Sequence, residues 1–127
     1  MSKTIFVARY TRKEIQANRD KVYIFGDNLA RRGLGGQAKE CRGEPNAIGI
    51  PTKRSPYEFF SDGDFDEWLA AVSKDCCRIL AAISEGKTIV WPQDGIGTGL
   101  ADLKSCAPRI WAELQKMVTS LGGPAKR

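Results

Sequence analysis

The sequence predicts an α/β fold of three layers, α/β/α, in which helices cover both faces of a mostly parallel central sheet. Two observations favour this class. Short apolar stretches rich in β-branched residues alternate with helix-like patterns, an order typical of parallel sheets. One stretch, Val22–Phe25, is apolar at every position, as expected of a strand buried on both faces. At 127 residues, we expect one domain spanning residues 1–127.

Four apolar runs are predicted to be strands, over Thr4–Ala8, Val22–Phe25, Ala47–Ile50 and Thr88–Trp91. Pro51 and Pro92 follow the last two runs, and we expect these prolines to end the strands because proline has no backbone N–H to donate. The segment from Tyr57 to Gly63 is expected to be a loop.

Four segments are predicted to be helical: Thr11 to about Arg19, Gly35 or Gly36 to Cys41, about Asp64 to Glu85, and a last helix beginning near Lys104 or Ser105. Thr11 and Glu14 fit the capping-box pattern at the start of the first helix. In the longest helix, apolar residues recur with the spacing of one helical face, and Gly86 is suited to end it.

Composition restricts the possible functions. The net charge of +5 and the pI of about 9.2 favour an anionic partner, although a basic solvated surface explains them equally well. The chain has no histidine, which excludes Ser-His-Asp and Cys-His catalysis and histidine zinc sites. None of the four cysteines forms a C-x-x-C pair, so we expect free thiols in a reducing compartment.

The sequence gives no sign of a membrane protein. No apolar run approaches the roughly 20 residues of a membrane span, and the first residues lack the apolar core of a signal peptide. We therefore expect a cytoplasmic protein without a membrane partner. The acidic residues near Asp64 are explained by the dipole of the long helix, so we expect no metal site and no cofactor.

Two glycine-rich loops follow predicted strands. Gly26–Ala38 comes directly after the second strand, and Gln93–Leu100 follows the strand that ends at Trp91. A strand that leads through a glycine-rich turn into a helix presents backbone N–H groups that bind anions such as phosphate. Because ligands of parallel sheets bind at the carboxyl ends of the strands, we expect one cleft with two glycine-rich walls.

Two common phosphate-binding motifs do not fit. A Walker A loop requires a glycine five positions before Gly-Lys-[Ser/Thr], but Ala81 stands at that position before Gly86-Lys87-Thr88, which lies between a helix and a strand. The glycines of neither loop have the G-x-G-x-x-G spacing of a dinucleotide-binding turn. The strand followed by Pro51 also has no acidic residue at its end to bind a ribose.

The two loops together resemble the macrodomain family. The resemblance rests on Asn28 followed by Gly33-Leu34-Gly35-Gly36, and on a later Gly95–Leu100, over roughly residues 22–38 and 89–100. It implies a pocket for ADP-ribose, with Asn28 bonded to the distal ribose. It also implies that the second loop donates N–H groups to the two phosphates. The ligand-binding residues implied are Gly26, Asp27, Asn28, Gly33, Gly35, Gly36, Gln37, Gly95, Ile96, Gly97, Thr98, Gly99 and Leu100.

Recognition of the base and catalysis stay open at this point. Tyr57, Phe59 and Phe60 are candidates either for stacking on adenine or for core packing. For hydrolysis of ADP-ribosyl linkages, the catalytic candidates are Asn28, Asp94 and Asp27. Asp102 serves equally well as a helix N-cap, and Gln37 is placed to orient a water.

The sequence therefore predicts a protein that binds ADP-ribose or a related NAD-derived nucleotide, and hydrolysis of ADP-ribosyl linkages stays open. Its wider partners would be ADP-ribosylated protein or nucleic acid. The alternative is a basic nucleic-acid-binding protein without catalytic activity. A third hypothesis is that the protein is a subunit of a larger assembly and that its glycine-rich loops no longer bind a ligand.

Overall fold

The computed structural model describes residues 3–98 and 101–124 and shows a mixed α/β fold around a five-stranded sheet. The strands are β1 Thr4–Val7, β2 Lys21–Asn28, β3 Ala47–Ser55, β4 Glu58–Phe59 and β5 Thr88–Pro92. Their spatial order is β1-β5-β2-β3-β4. The sheet is mostly parallel, since only the short β4 runs antiparallel to its neighbour β3.

The helices are α1 Arg12–Ala17, α2 Ala38–Cys41, α3 Phe65–Ser84, α4 Leu103–Cys106 and α5 Pro108–Ser120, and a 3₁₀ turn at Asp62–Asp64 precedes α3. The predicted cap of α1 is confirmed, because the Thr11 hydroxyl accepts a hydrogen bond from the Glu14 N–H at 3.1 Å. The sequence predicted a single last helix, and this prediction is wrong because the structure has two, α4 and α5. Pro108 lacks the N–H needed to continue α4 and instead begins α5.

The third strand extends further than its sequence indicates. Pro51 was expected to end it, but β3 continues through Pro51 to Ser55, and the missed β4 pairs with its last residues. Proline fits here because β3 has a strand on one side only at this point: Pro51 is paired with Asp27 of β2, while β4 joins β3 from Lys53 onward.

The β2 strand contributes to two separate hydrophobic clusters. Val22 and Ile24 belong to a cluster with side chains of α3, α4 and α5. Tyr23 and Phe25 belong to a second cluster with residues of α1 and α2. Because successive side chains of a strand point to opposite faces, the alternation places these clusters on the two faces of β2. The sequence prediction that Val22–Phe25 is buried at every position is confirmed.

The order of the strands creates a crevice between β2 and β5, which are parallel neighbours. After β2 the chain enters α2, whose residues Ala38 and Cys41 pack in the cluster of Tyr23. After β5 it enters α4, whose Leu103 packs in the cluster of Val22. The chain thus leaves two adjacent strands toward opposite faces, which is the topological switch point where open α/β sheets bind ligands.

No helix within residues 3–98 and 101–124 is long and apolar enough to cross a membrane.

Candidate functional site

A cleft of about 640 Å³ lies at this switch point, and both glycine-rich loops line it. The sequence-predicted ligand residues found in its wall are Gly26, Asp27, Asn28, Gly33, Gly35, Gly36, Gln37, Gly95, Ile96, Gly97 and Thr98. The two others, Gly99 and Leu100, lie outside the described residues. The volume falls within the range of about 300–1,000 Å³ typical of small-molecule sites.

The first loop is held in shape by Arg42, which follows α2. The Arg42 Nε donates to the Gly33 carbonyl at 2.8 Å, and its Nη2 donates to the Asp27 carboxylate at 2.6 Å. A third bond joins Nη2 to the Arg32 carbonyl at 3.2 Å. One planar guanidinium thus fixes two consecutive carbonyls of the loop relative to the end of β2.

Asp27 is buried and engaged by two arginines. Besides Arg42, the Arg31 Nη1 lies 3.5 Å from its carboxylate, and the Asn28 N–H donates to Asp27 Oδ1 at 2.8 Å. A Cβ at Gly49, on the neighbouring strand, would lie only 2.6 Å from Asp27 Oδ2, so only glycine leaves room for this carboxylate. These contacts give Asp27 a role in holding the loop, whatever else it does.

Asn28 and Gln37 also bond to the protein itself. The Asn28 Nδ2 donates to the Arg32 carbonyl at 2.8 Å, which closes the start of the first loop. Gln37 exchanges two hydrogen bonds with the backbone of Tyr10: its Oε1 accepts at 3.0 Å and its Nε2 donates at 2.8 Å. The Tyr10 segment is therefore a support of the loop that the sequence did not indicate.

Two titratable groups lie buried under the first loop. The Tyr10 hydroxyl donates to the Ile24 carbonyl at 2.8 Å, and burial raises its pKa. Burial also raises the pKa of the Cys41 thiol to about 12, although the Gln37 amide opposes the shift. At neutral pH both groups are neutral, so neither supplies a nucleophile to the cleft.

The second loop is held mainly by its backbone. Gly95 and Gly97 have φ values of +88° and +81°, which favour glycine. The Leu103 N–H donates to the Gly97 carbonyl at 3.2 Å, and the buried Ile96 side chain anchors the loop in the core. Within the described residues, no acceptor is found for the backbone N–H groups of Ile96, Gly97 and Thr98.

The charge of the cleft is positive. Among its described lining residues, the cations are Arg32, Arg42 and Lys53, and the one acid is Asp27, which is already paired. Thr52, Lys53 and Arg42 were not among the site residues predicted from the sequence, and for the first two the strand was expected to end before them.

The three candidate aromatics divide into two roles. Phe60 is 2% exposed and packs in the core cluster of α3, whereas Tyr57 is 89% exposed and lines the mouth of the cleft. Phe59 is half exposed beneath the Lys53 ammonium, 5.7 Å from its ring centroid. Of the three, Tyr57 is the one placed to meet a ligand.

Asp94 and Asp102 are both exposed, and neither is among the lining residues of the cleft. Asp94 precedes the second loop, where its carbonyl accepts a bond from the Thr98 hydroxyl at 3.2 Å. Asp102 occupies the N-cap position of α4 but makes no side-chain capping bond. Within residues 3–98 and 101–124, no three metal-ligating side chains are grouped as a metal site would require.

The chain belongs to a family described as "Family of unknown function (DUF7831)", whose family model matches residues 5–117. Comparison with the curated proteins and with the solved structures found no match.

Proposed function

We propose that this protein is a macrodomain-like, three-layer α/β/α module that binds ADP-ribose or a related NAD-derived nucleotide in the cleft between its two glycine-rich loops. The observation that carries the proposal is that both loops line one cleft at the switch point between β2 and β5. A site with two glycine-rich walls suits an extended, anionic ligand whose phosphates lie against backbone N–H groups.

The second loop supports a diphosphate contact. The N–H groups of Ile96, Gly97 and Thr98 have no acceptor among the described residues, and three successive donors of this kind suit phosphate oxygens. Arg32 and Lys53 add positive charge to the opposite wall. A dinucleotide-like ligand would therefore place its two phosphates beside residues 95–98.

Gly35 supports close contact between the first loop and a ligand. Its φ lies outside the left-handed region, and a Cβ there would meet no atom within 4 Å. Nothing in the protein itself therefore requires glycine at this position. Since Gly35 lines the cleft, close contact of a ligand with its backbone would explain why this position is glycine.

The contacts of the polar candidates support binding more than hydrolysis. Asp27 is held by two arginines, Asn28 by the backbone of Arg32, and Gln37 by the backbone of Tyr10. A general base must accept a proton from a water in the cleft, but the amides of Asn28 and Gln37 are too weakly basic to do so, and the Asp27 carboxylate is already engaged by two guanidinium groups. The proposal is therefore a binding module.

Titration calorimetry with ADP-ribose, AMP and NAD tests the proposal. We expect binding of ADP-ribose well below millimolar concentration and a loss of about tenfold or more in Gly35→Ala, because a methyl group would occupy ligand space. The control is Gly63→Ala, where a Cβ would make only an ordinary 3.6 Å contact with Ser61 outside the cleft. Millimolar or weaker binding of all three ligands contradicts the proposal, as does unchanged affinity in Gly35→Ala.

Hydrolysis is measured separately, as release of ADP-ribose from a modified protein or nucleic acid. For a binding module we expect none above background. Should the wild-type protein release ADP-ribose, Asn28→Ala and Asp94→Ala would show whether those residues are catalytic. Equal rates in wild type and both variants would exclude them.

A further inference from the structure

A second cavity, of about 500 Å³, lies beside the cleft at the edge of the sheet. It opens between the end of α2, the free edge of β3 and one face of α3. Much of its wall is built from small residues, namely Cys41, Gly43, Ala47, Gly49 and Ala71. Small residues leave backbone and open space where larger side chains would otherwise fill the edge of the sheet.

The charged groups around this cavity are mainly basic. Four cations line it, Arg31, Arg42, Lys74 and Arg78, together with two acids, Asp27 and Asp75. Both acids are already paired, since Arg42 lies 2.6 Å from Asp27 and Arg31 lies 2.6 Å from Asp75. The cavity therefore keeps an excess of positive charge.

Lys74 and Arg78 supply that excess. They lie one helical turn apart on α3, on the face that also carries Ala71 and Asp75. In the described part of the chain, neither forms an ion pair, although Arg78 is close enough to lower the pKa of Asp75 against the larger effect of burial. Like charges at this spacing repel, and a bound anion would relieve the repulsion.

Arg31 joins two walls of the cavity. Its φ of +55° lies in the left-handed region, which is strained for a residue with a side chain. The strained backbone is held by side-chain bonds to Asp75 at 2.6 Å and to the Gly49 carbonyl at 3.0 Å. The guanidinium thus bridges α3 and the edge of β3.

The cavity and the nucleotide cleft share a wall. Asp27 and Arg42 line both, and their ion pair forms the partition between them. The two spaces are therefore neighbours, and a ligand longer than one nucleotide that extends out of the cleft past this ion pair would meet the basic cavity next. A phosphodiester chain has the repeated negative charges that this continuation requires.

We infer that the basic cavity binds the phosphodiester backbone of a nucleic-acid strand whose modified end occupies the cleft. The identity of the modified end rests on the proposed function, whereas the backbone contact does not. Lys74 and Arg78 make the phosphate contacts, and the Arg31–Asp75 bridge keeps the α3 wall in place.

Fluorescence anisotropy with a short single-stranded oligonucleotide, with and without ADP-ribose on its terminal phosphate, tests this inference. We expect Lys74→Glu/Arg78→Glu to weaken binding of both probes by about tenfold or more and to lower the salt slope by about 0.7 for each phosphate that is no longer neutralised. The matched control is Lys13→Glu/Lys116→Glu, which makes the same change in net charge at exposed positions away from the cavity. Calorimetry with free ADP-ribose should be unchanged in both double variants.

Three outcomes overturn the inference: equal weakening by the control pair, binding of an acidic polyglutamate peptide in place of the oligonucleotide, and no oligonucleotide binding by a protein that binds ADP-ribose. The last outcome leaves the proposed function intact. Oligonucleotide binding without ADP-ribose binding contradicts the proposed function and leaves the backbone contact of this inference intact. Lys74→Gln/Arg78→Gln, checked by thermal unfolding, provides a milder variant in case charge reversal disturbs α3.

Discussion

The two glycine-rich loops border the same cleft but are held in different ways. The first is fixed by side chains, chiefly by Arg42, which bonds to Asp27 and to two loop carbonyls. The second is fixed by its own backbone and by the packing of Gly97 against Leu103. Both loops should be sensitive to an added methyl group, since a Cβ at Gly33 would lie 2.8 Å from Pro56 Cγ and one at Gly97 would lie 3.0 Å from Leu103 Cδ2. The first loop should in addition be sensitive to loss of a charge.

This difference matches the chemistry available to each wall. In the first loop, side-chain donors are used to hold the loop in shape. In the second, the shape comes from glycine conformations, and the N–H groups of residues 96–98 have no acceptor within the described residues. The rigid scaffold and the anion-binding donors are thus supplied largely by different loops.

Arg42→Gln should produce the largest loss of stability. Removing the guanidinium leaves the buried Asp27 carboxylate with the more distant Arg31 and the Asn28 N–H as partners among the described residues, and breaking a buried pair in this way costs about 2–3 kcal/mol after allowance for the part exposure of Arg42. Denaturant unfolding measures the loss. Arg32→Gln, whose side chain is exposed and makes no hydrogen bond or ion pair with the described residues, should cost less than about 0.5 kcal/mol.

Cys41 reports whether the first loop has opened in Arg42→Gln. With a pKa of about 12 and almost no exposure, this thiol should be alkylated slowly at pH 8, because little thiolate is present. We expect faster alkylation of Cys41 in the variant, while the exposed Cys77 reacts at the same rate in both proteins. Loss of the Arg42 charge by itself raises the Cys41 pKa and slows alkylation, so only a faster reaction reports opening of the loop. Alkylation of Cys41 no faster than in wild type contradicts the prediction.

Gly97→Ala should rank second, at about 2 kcal/mol. Its φ of +81° is strained for alanine, and the new Cβ would lie 3.0 Å from Leu103 Cδ2. Gly86→Ala isolates the backbone effect, because Gly86 has a φ of +78° and open space around its Cβ position, so we expect about 1 kcal/mol. Equal thermal shifts for the two variants would mean that packing against Leu103 contributes nothing.

Asn28→Ala should cost about 1 kcal/mol, since it removes the side-chain bond to the Arg32 carbonyl at the start of the first loop. Combining it with Arg42→Gln gives a double-mutant cycle. Because Arg42 also bonds to the Arg32 carbonyl, the two losses should not add. Strict additivity in the free energy of unfolding would contradict the shared anchoring of this carbonyl.

Thr98→Val should have the smallest effect on stability, below about 0.5 kcal/mol, because its hydroxyl bond to the Asp94 carbonyl is exposed. Its effect on calorimetric affinity for ADP-ribose is more informative. A second loop that binds through its backbone should keep nearly full affinity in this variant. If Thr98→Val lost more affinity for ADP-ribose than Gly97→Ala, the main ligand contact would be the Thr98 hydroxyl and not the backbone.

Local patterns predicted most of the secondary structure but not every boundary. The cap at Thr11, the long α3 and the end of β5 at Pro92 follow from nearby residues alone. The prediction that β3 ends at Pro51 was wrong because proline is accepted where a strand has a neighbour on one side only, and no local pattern shows which side is open. The same error hid Thr52 and Lys53, which β3 carries to the cleft.

By itself, the sequence determined where each loop follows its strand, which positions are glycine and that the chain is basic. Only the tertiary structure decided that β5 lies between β1 and β2, that the chain leaves β2 and β5 toward opposite faces, and that Arg31 reaches Asp75, 44 residues away. Turn conformation depends on a few adjacent residues. The order of strands and the pairing of distant charges depend on packing across the whole sheet, which no short segment encodes.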